Sequence, residues 1–121
     1  MPRMEIPALL SGIGEIARHS QIEIVSFGHA GDGNVHVNFL KMDRDDASWN
    51  SSLKEATEAV FALAVKLGGT ISGEHGIGIA KKKYLPLALS PAAIRSMREI
   101  KKSWDPNNIL NPGKIFPEGK F

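Results

Sequence analysis

Gly28-His29-Ala30-Gly31-Asp32-Gly33-Asn34-Val35-His36-Val37-Asn38 is the stretch on which the fold turns. Upstream of it, residues 21–28 are rich in Ile22, Ile24, Val25 and Phe27, a composition that suits a strand. Downstream, residues 35–40 alternate, with Val35, Val37 and Phe39 on one face and His36 and Asn38 on the other. Two strands joined through Asp32-Gly33 read as an antiparallel hairpin, because a type I′ turn needs positive φ at both central residues. With a two-residue turn, Gly31 pairs with Asn34, Ala30 with Val35, and His29 with His36. A longer turn breaks that opposition but keeps the two imidazoles near one another.

Helices flank the hairpin. Residues 7–19 place Leu9, Ile13 and Ile16 on one face, although Gly12 and Gly14 weaken the segment. Residues 48–67 form the strongest helical pattern, with Leu53, Val60, Leu63 and Leu67 aligned, and Gly68-Gly69 stops it. Residues 69–78 read as a short extended piece entering a glycine-rich loop. Ser90-Pro91 opens another helix, with Ile94, Met97 and Trp104 as its expected core face, and Asp105-Pro106 ends it. The fold class is therefore α+β, an antiparallel β-hairpin packed with helices. Gly12-Ile13-Gly14-Glu15-Ile16-Ala17 imitates a dinucleotide-binding fingerprint, but that motif needs a strand before it, and here Pro2 and Pro7 introduce a helix.

A chain of 121 residues holds one domain at most and buries roughly two-thirds of its unfolded surface. Apolar content of 42% and charged content of 23% argue against wholesale disorder. No apolar run approaches a membrane span, and no signal-peptide layout opens the sequence. Cysteine is absent, which excludes disulfides, thiolate metal sites and a cysteine nucleophile and fits a cytoplasmic setting. Lys81, Lys82, Lys83, Arg95, Arg98, Lys101 and Lys102 stand against the single acid Glu99 in one segment. Such a cluster can face nucleic acid, an anionic cofactor or a partner, and a solvated helix face is the ordinary reading. No aromatic residues interleave as a nucleic-acid stacking platform requires, so no nucleic-acid partner is expected.

Three of the four histidines fall in two glycine-flanked motifs. His29 and His36 on neighbouring strands can share one metal ion, and Asn38 lies on the face of His36 within reach of a ligand. Gly73-Glu74-His75-Gly76-Ile77-Gly78 sets a carboxylate and an imidazole between glycines. His29, His36 and Glu74 make a two-histidine, one-carboxylate set with open positions, leaving His75 available as a base. Ordinary surface histidines beside a flexible turn are the alternative.

These residues resemble a known family. The stretch from Gly28 to Asn38 is similar to the signature of the C-terminal domain of FAD-linked oxidases in the vanillyl-alcohol oxidase superfamily. The glycolate oxidase flavin subunit, D-lactate dehydrogenase and D-2-hydroxyglutarate dehydrogenase belong to that group. Gly73 to Gly78 followed by Lys81 resembles the second family motif, and Asp105-Pro106 with Leu110-Asn111-Pro112-Gly113-Lys114 the third. The resemblance implies a catalytic divalent metal (zinc, with iron or manganese as alternatives) on His29, His36 and Glu74. It implies that Asn38 contacts a 2-hydroxy acid and that His75 takes the hydroxyl proton as hydride leaves for the flavin. Asn111 and Lys114 are implied to lie near the cofactor.

The same resemblance implies a two-part enzyme with an FAD-binding domain and a ferredoxin-like cap. Residues 1–121 read as a single domain, the later half of that cap, with the FAD-binding domain absent. The expectations are that FAD belongs to the complete enzyme and does not bind this chain alone, and that an FAD-binding domain or subunit is its partner. Exposed sheet edges further suggest a homodimer, and membrane association is expected only peripherally, through partners. A non-enzymatic metal-binding module and a metal-dependent hydrolase are the competing readings.

Overall fold

A computed structural model describes residues 1–118, which form two compact units, Met1–Glu74 and a second beginning at His75. The first unit is a helix, a hairpin and a second helix: α1 (Ile6–Ser20), β1 (Glu23–His29), β2 (Asn34–Leu40) and α2 (Asp46–Lys66). The strands pair antiparallel as a two-stranded sheet. Its inner face follows the alternation of the sequence. Ile24, Val35, Val37 and Phe39 pack against a core of Leu9 and Ile13 from α1 and Val60 from α2. Full burial of such a side chain contributes about 1.5–3 kcal/mol and partial burial a share of that, so this apolar stripe holds the hairpin to the helices.

Local chemistry sets the ends of the elements. Asp45 caps α2, its carboxylate accepting from Ser48 N at 3.0 Å, and these hydrogen bonds hold its carboxyl below the ordinary aspartate range. At the other end Gly69 N donates to Ala64 O at 2.8 Å and Gly68 N to Val65 O at 3.0 Å, the paired bonds of a Schellman stop. The Gly12-to-Ala17 fingerprint lies wholly inside α1, with no strand before it, so it has no dinucleotide-binding geometry.

The hairpin connection differs from the two-residue turn expected. Ala30–Asp32 forms a single 3-10 turn, and Gly33 N donates to Ala30 O at 3.2 Å before β2 begins. Gly33 adopts φ 69°, and a Cβ there would stand 2.1 Å from the Met1 carbonyl oxygen, so only glycine fits. The four-residue connection shifts the register by two. His29 pairs with Asn34, and Phe27, rather than His29, stands opposite His36. Residues 69–78 also differ from expectation: they run as turns and bends, with no strand.

The second unit contains α3 (Leu85–Ala88), which the sequence pattern did not reveal, and α4 (Pro91–Trp104). Ser90 caps α4 as expected, accepting from Ala93 N at 3.2 Å, and Ile94 is fully buried. Trp104, expected in the core, is instead 84% exposed. Here the helical period misleads: α4 ends at Trp104, and the chain turns away on Asp105.

Asp105 is buried and organises the turn that follows. Its carboxylate accepts from Ile109 N and Leu110 N, both at 2.9 Å, and from Lys101 Nζ. Several members of the basic cluster are therefore internal ties. Lys101 also donates to Leu110 O at 2.8 Å, Arg98 donates to Pro117 O and covers the Phe116 ring, and Lys82 donates to Gly113 O at 3.3 Å. Among the described residues no helix is long and apolar enough to cross a membrane.

Candidate functional site

Because Val35, Val37 and Phe39 face the core, period two sends their neighbours to the opposite face of the sheet. That outer face carries Val25, Phe27 and His29 from β1 and Asn34, His36 and Asn38 from β2. The strand ends, the 3-10 turn and the segment leading to Glu74 meet here. A Cβ on Gly73 would stand 2.1 Å from Asn34 Oδ1, so glycine lets the backbone before Glu74 lie directly on the Asn34 side chain. This contact brings the first two glycine-rich motifs together.

His36 Nε2 lies 3.3 Å from Glu74 Oε1, with the imidazole 20% exposed and the carboxylate 52% exposed. Two donors at ~2.0–2.1 Å from one tetrahedral ion stand about 3.3 Å apart, so this pair has the spacing of ligands sharing a metal. The donor set, one imidazole and one carboxylate, also suits a zinc-type ion. His29 approaches His36 edge-on, with ring centroids 6.1 Å apart and planes at 78°. The register shift thus removes direct opposition of the two histidines but leaves them neighbours on one face.

Asn38 is exposed on the same face, two residues along β2 from His36. His75 is the next residue after Glu74 and opens the second unit, where it is exposed. Asn111 and Lys114 also belong to the second unit. Asn111 is exposed at φ 47°, and Lys114, three residues on, is also exposed. Within that unit, Ile115 N donates to Gly78 O at 2.8 Å, so the segment carrying Asn111 and Lys114 is strapped to the loop that follows His75. Burial depresses the Lys81 ammonium below the ordinary lysine range.

Two residues at the site escaped the sequence reading. Phe27 stacks on His36, with centroids 5.1 Å apart and planes at 19°. The signal available was its place two residues before His29 on the same strand face. From the sequence Asn34 reads only as part of the turn, and its contact with Gly73 depends on a tertiary approach that no spacing encodes.

Comparison with known proteins gives a consistent result. Residues 1–115 match the family model described as FAD linked oxidases, C-terminal domain. The chain is 42% identical over 116 residues to the glycolate oxidase subunit GlcD of Bacillus subtilis (strain 168), covering 96% of this chain and 24% of that protein. It is 44% identical over 117 residues to a D-2-hydroxyglutarate dehydrogenase of Stutzerimonas stutzeri (strain A1501), covering 93% and 25% respectively. It is 39% identical over 115 residues to a D-lactate dehydrogenase of Anaerostipes hadrus, covering 95% and 24%. The chain thus spans about a quarter of the length of these relatives.

Proposed function

Because the chain belongs to the FAD-linked oxidase C-terminal domain family, we propose that it supplies the metal and substrate side of a flavin-dependent 2-hydroxy-acid oxidoreductase. The observation that carries this reading is the His36–Glu74 pair at 3.3 Å on the outer face of the hairpin.

In this proposal His36 and Glu74 hold a divalent ion, zinc by the donor set, with His29 swinging from the end of β1 to complete three ligands. When bound, the metal supplies Lewis acidity at the substrate hydroxyl, and the flavin of the complete enzyme supplies a two-electron acceptor. Asn38 presents its amide to the substrate beside the histidines. His75 accepts the hydroxyl proton on an imidazole nitrogen, a role suited to a side chain whose ordinary pKa lies near working pH. Asn111 and Lys114 line the cofactor side. An FAD-binding domain or subunit is the required partner. The two-stranded sheet is marginal by itself, and its outer edges are where further strands, or a second copy of the chain, would pair.

The test measures zinc uptake by the chain, and 2-hydroxy-acid oxidation when the chain is expressed with the FAD-binding portion of a relative. Uptake is expected to approach one ion per chain and to be lost in His36→Ala and Glu74→Ala. Oxidation of glycolate, D-lactate or D-2-hydroxyglutarate is expected to fall at least about 100-fold in His75→Ala, as loss of a general base does. Absence of zinc uptake by the unsubstituted chain, together with absence of oxidation, overturns the proposal.

A further inference from the structure

Phe27 is 56% exposed, yet its ring does not face water on both sides. It stacks on the His36 imidazole at 5.1 Å and 19°, while His29 meets the same imidazole edge-on at 6.1 Å and 78°. Phe27 and His29 are alternate residues of β1, so both project from one face; His36 stands opposite Phe27, and His29, opposite Asn34, reaches the same ring diagonally. The His36 ring is thus contacted by both aromatic neighbours, and its Nε2 lies 3.3 Å from Glu74 Oε1.

We propose that Phe27 is a positioning residue that fixes the His36 imidazole in the orientation a metal ligand needs. This rests on the metal reading given above. An imidazole on a strand has two side-chain torsions, and the second is broad, so the ring needs an outside constraint to hold one nitrogen on target. The hydrogen bond partner commonly found behind a ligating histidine is one such constraint. Here an aromatic ring stacked within the offset-parallel range acts as another, limiting rotation about the second torsion. A core role does not explain the residue. The core lies on the other face of the sheet, where Val35, Val37 and Phe39 pack on the helices.

The experiment compares Phe27→Leu and Phe27→Tyr in the full 121-residue chain. The readouts are NMR proximity between the His36 ring protons and the Glu74 side chain, and affinity for zinc chloride. Phe27→Leu is expected to lose the defined ring–carboxylate proximity and to weaken zinc binding about tenfold, the lower end of what removing an orienting partner costs. Phe27→Tyr keeps the stacked ring, with its hydroxyl directed to solvent, and is expected to restore both. Circular dichroism is expected to stay unchanged throughout, since the residue is outside the core. Retention in Phe27→Leu of both the proximity and the zinc affinity overturns the proposal. His36→Ala is measured alongside: zinc binding that survives it counts against the metal reading, while the ring proximity in the Phe27 variants still decides the role of Phe27.

Discussion

Gly12 on α1 lies so close to Leu63 on α2 that a Cβ at Gly12 would stand 2.5 Å from Leu63 Cδ2. The glycine that weakens α1 as an isolated helix is therefore the position at which the two helices of the first unit approach. Gly12→Ala adds about 1 kcal/mol of helix propensity and forces Leu63 to move. The two effects are expected to leave stability within about 1 kcal/mol of the starting chain. Gly12→Val gains less propensity and adds more bulk, so it is expected to cost about 1–3 kcal/mol by overpacking. Urea denaturation followed by circular dichroism checks both.

The contact between Gly73 and Asn34 predicts coupled substitutions. Gly73→Ala places a methyl group on Asn34 Oδ1 and is expected to cost about 1–3 kcal/mol, separating Glu74 from His36. In an Asn34→Ala background the same change has room, so the double variant is expected to lose about 0.5–3 kcal/mol less than the sum of the two single ones. Additive losses in a double-mutant cycle would refute the contact.

Asp105 predicts a pH dependence. The Lys101 ammonium is the main cause of its lowered pKa, and the Ile109 and Leu110 amides add to it against the opposing effect of burial. A carboxyl lowered on folding contributes stability that is fully present above its unfolded value of about 3.9. The contribution is lost as pH falls through the lower folded value. Asp105→Asn is therefore expected to be less stable at neutral pH, with the difference closing below about pH 3.9. Hydrogen exchange at the Ile109 and Leu110 amides reads this directly and is expected to speed up in the variant.

Ser90 caps α4 through one hydrogen bond to Ala93 N. Ser90→Ala is expected to cost about 1 kcal/mol and Ser90→Asp to cost little, since aspartate caps as well and favours the positive end of the helix. Equal losses in the two variants, measured by thermal denaturation, would mean that the cap is not what holds this end.

Local signals that carry their own mechanism were legible before the structure. Serine followed by proline marked the start of α4, the double glycine marked the end of α2, and the alternation of Val35, Val37 and Phe39 identified the inner face of the sheet. The two glycine-flanked motifs were legible as clusters of residue types, and His36 with Glu74 is a pair that the fold brings together. What the sequence hid depends on counting through a turn or on tertiary approach. The connection of residues 30–33 uses two more residues than an Asp-Gly turn, which replaces His29 by Phe27 opposite His36. Trp104 kept the period of a core position at the last turn of a helix, where burial depends on what the following chain does. Asp105, from its sequence a simple helix stop, recruits Lys101 and two backbone amides.

The exposure of Trp104 gives the protein a built-in optical probe. Of the two tryptophans, Trp49 is half-buried and Trp104 stands almost entirely in water. The emission of Trp104 in the folded chain is expected to be that of a solvated indole, so unfolding of the second unit is expected to leave it nearly unchanged. A blue shift from this residue would instead signal that another surface has closed over the end of α4. Fluorescence from the same chain thus separates association from folding, with Trp104 reporting the first and Trp49 the second.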